Sequence, residues 1–392
     1  MRCSSTICSN RPNRTCATAW ASSSTRHRQT RPASGTSLAS GTSLAKRDHA
    51  DRLLRWFDQA QRDLPWRRSR DPWAIWVSEI MLQQTRVEAV CEPFERFLTQ
   101  YPSPSAFAEA SDDEVLVAWR GLGYYRRARL LRDGARRVVE AHGGTVPSSL
   151  EDLRDLPGIG PYTLGAVASI AFGHPEPAVD GNVERVVSRH RGFEEPIGTG
   201  PARRQIRQVI EGWMSADRAG DFNQALMELG AVVCTPTSPN CEACPIAAPC
   251  VARRTDRTGQ LPVKKAPKKA IVVTSRAIVV VRGERALGYR VPDDQPNAGQ
   301  IELPGPGILV DCDPDDLRAA IRSRFDAVVA AGQEVASIQH AITHHRITLH
   351  CHAATVQRKG QLDWFSLAAE TPWTTPSRKV FGRVDKSGRL EA

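Results

Sequence analysis

The chain has 392 residues, of which 41% are hydrophobic, and a formal net charge of +10. No stretch approaches the 18 uninterrupted apolar residues of a membrane helix, and the N-terminus lacks the apolar run of a secretory signal, which argues against a membrane or secreted protein. Residues 1–47 contain eight Arg and Lys and no acidic residue, leaving +2 for the rest of the chain. The net charge therefore does not by itself indicate a nucleic-acid partner.

Residues 1–47 are rich in Ser, Thr and Arg, and they repeat Ser-Gly-Thr-Ser-Leu-Ala at 34–39 and 40–45. This composition predicts a disordered extension whose Cys3, Cys8 and Cys16 are unpaired. An acid-free leader is also typical of an organellar transit peptide, or of translation from a start codon placed too far upstream. We expect a cytoplasmic protein if the chain is bacterial, and a nuclear or mitochondrial one if the leader is a targeting segment.

From residue 48 to 252 the apolar residues recur with a helical period, which predicts a mainly α domain of nine or ten helices. Helix ends are marked by Ser111 before three acidic residues and by Gly143-Gly144 after His142. The predicted helices include 48–62, 73–90, 111–120, 126–142, 149–155, 161–172, 182–190, 201–215 and 221–233.

Residues 253–269 are basic, contain prolines and have no apolar period, which predicts a linker. Residues 270–392 then predict a small C-terminal α/β or α+β domain, because β-branched runs of strand length alternate with one helical segment. The predicted strands are 271–273, 277–281, 334–341 and 347–356, and the predicted helix is 314–331.

Four cysteines fall within seventeen residues, Cys234, Cys241, Cys244 and Cys250, with the spacing C-x6-C-x2-C-x5-C. Cysteine thiolates hold iron–sulfur clusters, and this spacing favours one cuboidal [4Fe-4S] cluster. A structural zinc site is the metal alternative, although such sites usually bring two separated knuckles and this chain has a single C-x2-C. Unliganded cysteines are the third interpretation.

The segment Leu156-Pro-Gly-Ile-Gly160 lies between two predicted helices. Gly158 and Gly160 allow a tight turn that presents backbone N–H groups at the start of the next helix. Such an arrangement can bind an anion, including a DNA phosphate. The same sequence is often merely a turn. Asp180 follows some twenty residues later and is placed to cap the helix that begins near Asn182. The same carboxylate could also stabilise a developing cation.

Glu79 has apolar helical neighbours such as Ile75 and Ile80, in a segment that ends in Gln83-Gln-Thr85. A carboxylate in apolar surroundings has a raised pKa, which suits a general acid, although a surface glutamate on an amphipathic helix fits the pattern as well. The loop Gly121-Leu-Gly-Tyr-Tyr-Arg-Arg127 combines adjacent aromatics and cations. It suits a wedge against unstacked bases, or ordinary packing.

Together these segments resemble the helix-hairpin-helix glycosylase superfamily, in its iron–sulfur branch and within that the MutY-type adenine DNA glycosylases. The resemblance runs from about residue 50 to 255 and implies a two-lobed domain at 48–252, with a six-helix lobe at about 73–185 and an iron–sulfur lobe from 48–72 and 186–252. It rests on Leu64-Pro-Trp-Arg67, Ser78-Glu-Ile-Met-Leu-Gln-Gln-Thr85, Gly121-Leu-Gly-Tyr-Tyr125, Leu156-Pro-Gly-Ile-Gly-Pro-Tyr-Thr163, Val179-Asp-Gly-Asn-Val183, Phe222-Asn-Gln-Ala-Leu-Met-Glu-Leu-Gly230 and the four cysteines.

The resemblance also implies roles for individual residues. Glu79 would protonate a flipped adenine at N7 and then assist water, while Asp180 would stabilise the oxocarbenium-like sugar, supported by Tyr162 and Asn182. One structural [4Fe-4S] cluster would be held by the four cysteines. DNA contacts are implied for Arg67, Gln84, Thr85, Tyr124, Gly158 and Gly160, with Gln84 and Tyr124 filling or wedging the base stack.

Endonuclease III-type enzymes are the main competitor, since they attack the sugar with a lysine where this chain has Tyr162. Between Arg47 and Val263 there is no lysine, so a Schiff-base mechanism has no amine to use there. We therefore expect a monofunctional hydrolase that leaves an abasic site. The alternatives are an endonuclease III-like glycosylase with a different lesion specificity and a non-catalytic iron–sulfur DNA-binding module.

Beyond the linker the resemblance is weaker. MutY-type proteins carry a Nudix-like domain that inspects 8-oxoguanine, and here Gly299-Gln-Ile-Glu-Leu-Pro-Gly305 stands where the family has a Trp-containing stretch. His340-Ala-Ile-Thr-His-His345 resembles the family's His-x-Phe-Ser-His loop, which implies recognition of 8-oxoguanine by Thr343 and His344. The implied partner is double-stranded DNA with A opposite 8-oxoguanine or G. We expect the protein to act as a monomer and not to associate with a membrane.

Overall fold

A computed structural model describes residues 39–266 and 269–387, with side chains described from 48 to 384. By its internal contacts the chain divides into two compact units, Met1–Thr42 and Ser43–Ala392. Almost all of the first unit lies outside the described residues, including Cys3, Cys8 and Cys16. Helix α1, Ala39–Ala60, begins inside the segment predicted to be disordered.

The helical region is mainly α, as predicted, but it has twelve α-helices among the described residues up to 254 rather than nine or ten. Six of them begin at a Ser, Thr or Asp side chain that accepts a backbone N–H of the first turn, which stabilises the helix start. After α1 the helices are α2 Pro72–Met81, α3 Cys91–Gln100, α4 Pro104–Ala108, α5 Asp112–Ala118, α6 Arg126–His142, α7 Leu150–Asp155, α8 Pro161–Phe172, α9 Gly181–Arg191, α10 Gly200–Trp213, α11 Ala219–Glu228 and α12 Val251–Arg254.

The predicted helix over 73–90 is wrong beyond Met81. Gln84 adopts a left-handed backbone conformation with φ 57°, which interrupts the helix, and α3 follows as a separate element. The guanidinium of Arg127 fixes this break, because its Nη1 donates to the carbonyl oxygens of Ile80 at 2.6 Å and Met81 at 3.1 Å. A distant arginine thereby satisfies carbonyls that the end of α2 leaves open.

Two hydrophobic cores support the helices. The larger core is built from residues between 64 and 178 and contains the fully buried Trp73, Trp76 and Trp119. The smaller core joins α1 to α9, α10 and α11, with Phe57 and Phe222 at its centre. Among the described residues no helix is long and apolar enough to span a membrane.

The C-terminal region is a small α/β structure, as predicted. One sheet has the strand order β1-β6-β5, with β1 parallel and β5 antiparallel to β6, and a second sheet has β2-β3-β4 with β7 paired to β3. The predicted helix 314–331 is too long, because Asp326 takes a left-handed conformation and ends it. The elements are β1 Ile271–Val279, β2 Val281–Arg282, β3 Arg285–Arg290, β4 Ile301–Glu302, α13 Leu317–Phe325, β5 Val328–Ile342, β6 His345–Arg358, β7 Asp363–Ser366 and α14 Thr375–Ser387.

Arginine contacts connect the C-terminal sheets to the helical region. Arg290 at the end of β3 forms two hydrogen bonds with the carboxylate of Asp113 on α5, at 2.7 and 3.1 Å. On α6, Arg129 donates to the carbonyl oxygen of Ala298 at 2.6 Å. These polar contacts place the C-terminal region against α5 and α6.

Candidate active site

A cavity of about 810 Å³ is lined by residues of both helical cores. All four predicted catalytic residues and five of the six predicted DNA contacts lie on its wall. They are Glu79, Tyr162, Asp180, Asn182, Arg67, Gln84, Thr85, Gly158 and Gly160. The sixth DNA contact, Tyr124, lies outside this wall on an exposed turn with φ 48°, and its ring packs against the Arg127 guanidinium at 5.5 Å.

Glu79 is brought to the cavity by α2, whose other face packs into the larger core. Its side chain is buried, and the phenol of Tyr162 on α8 donates a hydrogen bond to Glu79 Oε2. Burial raises the pKa of Glu79 to about 7; the Tyr162 hydrogen bond opposes this rise and the nearby carboxylate of Asp180 adds to it. A substantial fraction of Glu79 is therefore protonated at neutral pH.

Asp180 is the N-cap of α9, as predicted, and also lines the cavity. Its Oδ1 accepts the backbone N–H of Val183 at 2.8 Å and its Oδ2 accepts the amide of Asn182 at 2.8 Å. Burial raises the pKa of Asp180, whereas these hydrogen bonds and the charge of Arg185 stabilise its anion. Glu79 has no backbone donor of this kind among the described residues. Of the two carboxyl groups, Asp180 is therefore the one whose ionised form is better stabilised.

Sequence reasoning missed Glu228 and Arg62, which line the same cavity. Arg62 donates to both carboxylate oxygens of Glu228 at 2.8 and 2.9 Å, and Arg67 donates to Oε2 at 2.9 Å. Burial alone would raise the pKa of Glu228, but the two arginines lower it to about 2. Arg67, expected to contact DNA, is thus bound to a buried carboxylate. The signal was an acidic residue among the apolar residues at the end of α11, the same kind of signal that pointed to Glu79.

The turn between α7 and α8 has the predicted conformation. Gly158 has φ +83°, which suits glycine, and Gly160 is the N-cap of α8 but offers no side chain to accept the first N–H groups of that helix. The turn and the start of α8 lie on the cavity wall. An anion could be bound there by backbone N–H groups.

The four predicted cysteine ligands surround a second cavity of about 30 Å³, whose wall includes the apolar side chains of Leu229, Val233 and Ile246. All four thiols are free and half-buried. Two sulfurs on one zinc ion would lie within about 3.8 Å of each other, given Zn–S bonds of about 2.3 Å. No three described His, Cys, Asp or Glu side chains are grouped closely enough to hold such an ion. Four thiols on one cavity wall are a donor set that iron–sulfur clusters and zinc share.

Hydrogen bonds connect the two cavities. Asn182 Oδ1 accepts from Arg185 Nη2 at 2.7 Å, and Arg185 Nε donates to the carbonyl oxygen of Cys234 at 2.8 Å. Arg189 on the next turn of α9 places Nη1 3.4 Å from the Cys234 sulfur. Helix α9 therefore begins at Asp180 and presents two arginines to the cysteine loop.

Thr343 and His344 form the two-residue turn between β5 and β6 and belong to neither cavity wall. Thr343 is exposed and adopts φ 53°, a strained conformation for a β-branched residue. Its hydroxyl donates to the carbonyl oxygen of Ile342 at 2.8 Å and lies 3.3 Å from His344 Nδ1. Both residues are presented at the tip of a hairpin.

Comparison with known proteins gives a family and several relatives. Residues 77–213 match the family described as HhH-GPD superfamily base excision DNA repair protein. The chain is 47% identical over 222 residues to the adenine DNA glycosylase of Homo sapiens, covering 53% of this chain and 40% of that protein. It is 32% identical over 360 residues to the adenine DNA glycosylase of Arabidopsis thaliana, covering 79% of this chain and 57% of that protein. The chain thus spans about half the length of these relatives.

Two solved structures resemble different parts of the chain. A thermostable thymine-DNA glycosylase is 29% identical with a TM-score of 0.49, and the match covers 55% of this chain and 99% of that one. A MutT NUDIX hydrolase from Burkholderia pseudomallei is 16% identical with a TM-score of 0.25, and the match covers 29% of this chain and 98% of that one.

Proposed function

We propose that the chain, whose residues 77–213 match the HhH-GPD superfamily of base excision DNA repair proteins, is an adenine DNA glycosylase. The substrate is double-stranded DNA in which adenine lies opposite 8-oxoguanine or guanine. The reaction is hydrolysis of the bond between base and sugar, which leaves an abasic site. The relatives that carry the name adenine DNA glycosylase support the choice of base.

The observation that carries the proposal is the pair of unlike carboxyl groups on one cavity wall. Glu79, with a pKa of about 7, is available as a general acid that protonates adenine N7, so that the base leaves as a neutral molecule. Asp180 is the anion that stabilises the positive charge developing on the sugar. Enzymes commonly use two carboxyl groups in different environments, so that one is protonated and acts as the acid while the other stays ionised.

The cavity also supports selection of adenine. Its volume of about 810 Å³ accommodates a nucleotide flipped out of the duplex. Glu228 is held ionised by Arg62 and Arg67, so it can accept hydrogen bonds from an amino group on the base but repels a carbonyl oxygen. Adenine presents an amino group on its Watson–Crick edge where thymine presents a carbonyl.

A monofunctional mechanism is supported by the absence of lysine. No lysine lies between Arg47 and Val263, and none of the described residues on the cavity wall is a lysine. Tyr162, whose phenol is bound to Glu79, stands where a lyase would need an amine. Water is then the acceptor of the sugar, and the DNA strand stays intact.

We assign one [4Fe-4S] cluster to Cys234, Cys241, Cys244 and Cys250. When bound, it would supply thiolate–iron bonds that hold the loop between Cys234 and Cys250 and the following helix α12 in place. Arg253 and Arg254 at the end of α12 would then contact the DNA backbone.

We assign Thr343 and His344 to recognition of the base opposite the adenine. We also propose that the enzyme acts as a monomer.

The test is a single-turnover assay on three duplexes, with A opposite 8-oxoguanine, A opposite G, and an oxidised pyrimidine opposite G. We expect adenine release from the first two, with strands that break only after alkali. An Asp180→Asn preparation is the control that ties activity to this site. Strand breakage without alkali would indicate a lyase, and release from none of the three would favour a DNA-binding module.

A further inference from the structure

His190 on α9 is buried, with 3% of its surface exposed, and neither ring nitrogen has a hydrogen-bond partner among the described residues. In every protonation state an imidazole carries at least one N–H donor. An unpaired buried donor costs about 1–3 kcal/mol. A histidine in such a position therefore indicates a partner other than the side chains and backbone around it.

The ring of His190 is held in a defined orientation. It meets Trp213 edge to face at a centroid distance of 4.7 Å and His49 at 5.1 Å. Both contacts are with ring systems that pack around it in the smaller helical core. His190 is thus fixed by its neighbours while its own N–H is left without an acceptor.

His190 lies on the wall of the cavity formed by the four cysteines. The cavity of about 30 Å³ exceeds the roughly 10–15 Å³ that one water needs, and all four cysteines lie on its wall. The polar side chains that share this wall are Arg189, Asn240, Arg253 and Thr258. Arg189 and Arg253 carry no acceptor, and the amide oxygen of Asn240 already accepts the backbone N–H of Ala243 at 3.3 Å, so the acceptors left on the wall are the Thr258 hydroxyl and the four cysteine sulfurs.

We propose that His190 donates a ring N–H hydrogen bond to a sulfur atom of the iron–sulfur cluster and thereby raises the reduction potential of that cluster. The inference rests on the cofactor assigned above and is independent of glycosylase activity. Hydrogen bonds to cluster sulfurs stabilise the more negative, reduced state, and they are among the factors that set the potential. His190 is then a positioning and tuning residue rather than a catalytic one.

The first test uses the unaltered protein labelled with ¹⁵N-histidine. Electron–nuclear double resonance on the paramagnetic state of the cluster should show a ¹⁵N coupling from one histidine, which disappears in His190→Phe. The second test is protein-film voltammetry. His190→Phe keeps a planar ring without a donor and should shift the potential downward, whereas His190→Gln retains an N–H and should stay closer to the unaltered protein.

His142→Phe at the end of α6 is the matched control and should leave the potential unchanged. A cluster with no ¹⁵N coupling in the unaltered protein would overturn the inference, whatever the stability of the variants, and would indicate a buried water beside His190. An unchanged potential in His190→Phe at full iron content would overturn the tuning role. Purified protein without iron and sulfide would instead overturn the cofactor assignment.

Discussion

The active-site cavity and the Thr343–His344 hairpin tip differ in how many of their polar side chains already have hydrogen-bond partners within the protein. In the cavity Glu79 is bound to Tyr162, Asp180 to Asn182 and the start of α9, and Glu228 to two arginines. At the hairpin tip Thr343 is exposed, and its hydroxyl is hydrogen-bonded to the neighbouring Ile342 and lies close to His344.

The difference follows from what each region has to do. Shifting a carboxyl pKa to about 7 requires exclusion of water, so the protein must build those surroundings itself. Reading a base requires donors and acceptors that stay free until DNA arrives. Substitutions in the cavity should therefore change the rate of base release or stability, and substitutions at the tip should change discrimination between opposing bases.

Glu79→Gln should have the largest effect, because it removes the acid and keeps the shape of the side chain. Loss of a general acid lowers a rate by about 10²–10⁴-fold. The measurement is the single-turnover rate of adenine release opposite 8-oxoguanine, with the exposed Glu140→Gln as the control. A Glu79→Gln rate within threefold of the unaltered protein would remove Glu79 from the chemistry.

Glu228→Gln should have an effect of intermediate size that includes stability. It leaves the Arg62 and Arg67 guanidinium groups without their anion, and breaking a buried ion pair costs about 3–5 kcal/mol. Since Arg62 is one-third exposed, we expect about 3 kcal/mol, measured as a lower urea midpoint of unfolding.

The pH dependence of this contribution has a definite sign. The pKa of Glu228 lies below its ordinary value, so its stabilisation is complete above that ordinary value and is lost as pH falls toward about 2. The exposed Glu242→Gln is the control and should leave the midpoint unchanged. An equal loss in both variants, or none in Glu228→Gln, would contradict the buried ion-pair assignment.

Thr343→Ala should have the smallest effect and should affect a different quantity. Loss of one hydrogen bond to the opposing base is worth about 1 kcal/mol, which corresponds to a roughly fivefold to tenfold lower preference for 8-oxoguanine over guanine. The rate at A opposite guanine should stay the same, as should both rates in the exposed β6 control Thr355→Ala. A uniform loss on both duplexes would place Thr343 in general DNA binding instead.

The sequence was most informative for residues whose environment is set by their near neighbours in the chain. Glu79 in an apolar helical run and Asp180 before a helix both lie on the cavity wall, because local pattern decides burial and capping. The break after α2, with its left-handed Gln84, could not be foreseen, since the guanidinium that binds the last carbonyls of α2 comes from Arg127, more than forty residues away. The same holds for the inward turn of Arg67, whose partner Glu228 is 161 residues distant.

The pH dependence of single-turnover adenine release tests the central claim most directly. Glu79 acts in its protonated form, and burial raises its pKa to about 7. The rate constant should therefore be level below about pH 6.5 and fall with rising pH, approaching tenfold per pH unit above about 8. A rate that stays constant from pH 6 to 9, measured on DNA with adenine opposite 8-oxoguanine, would contradict a buried Glu79 acid.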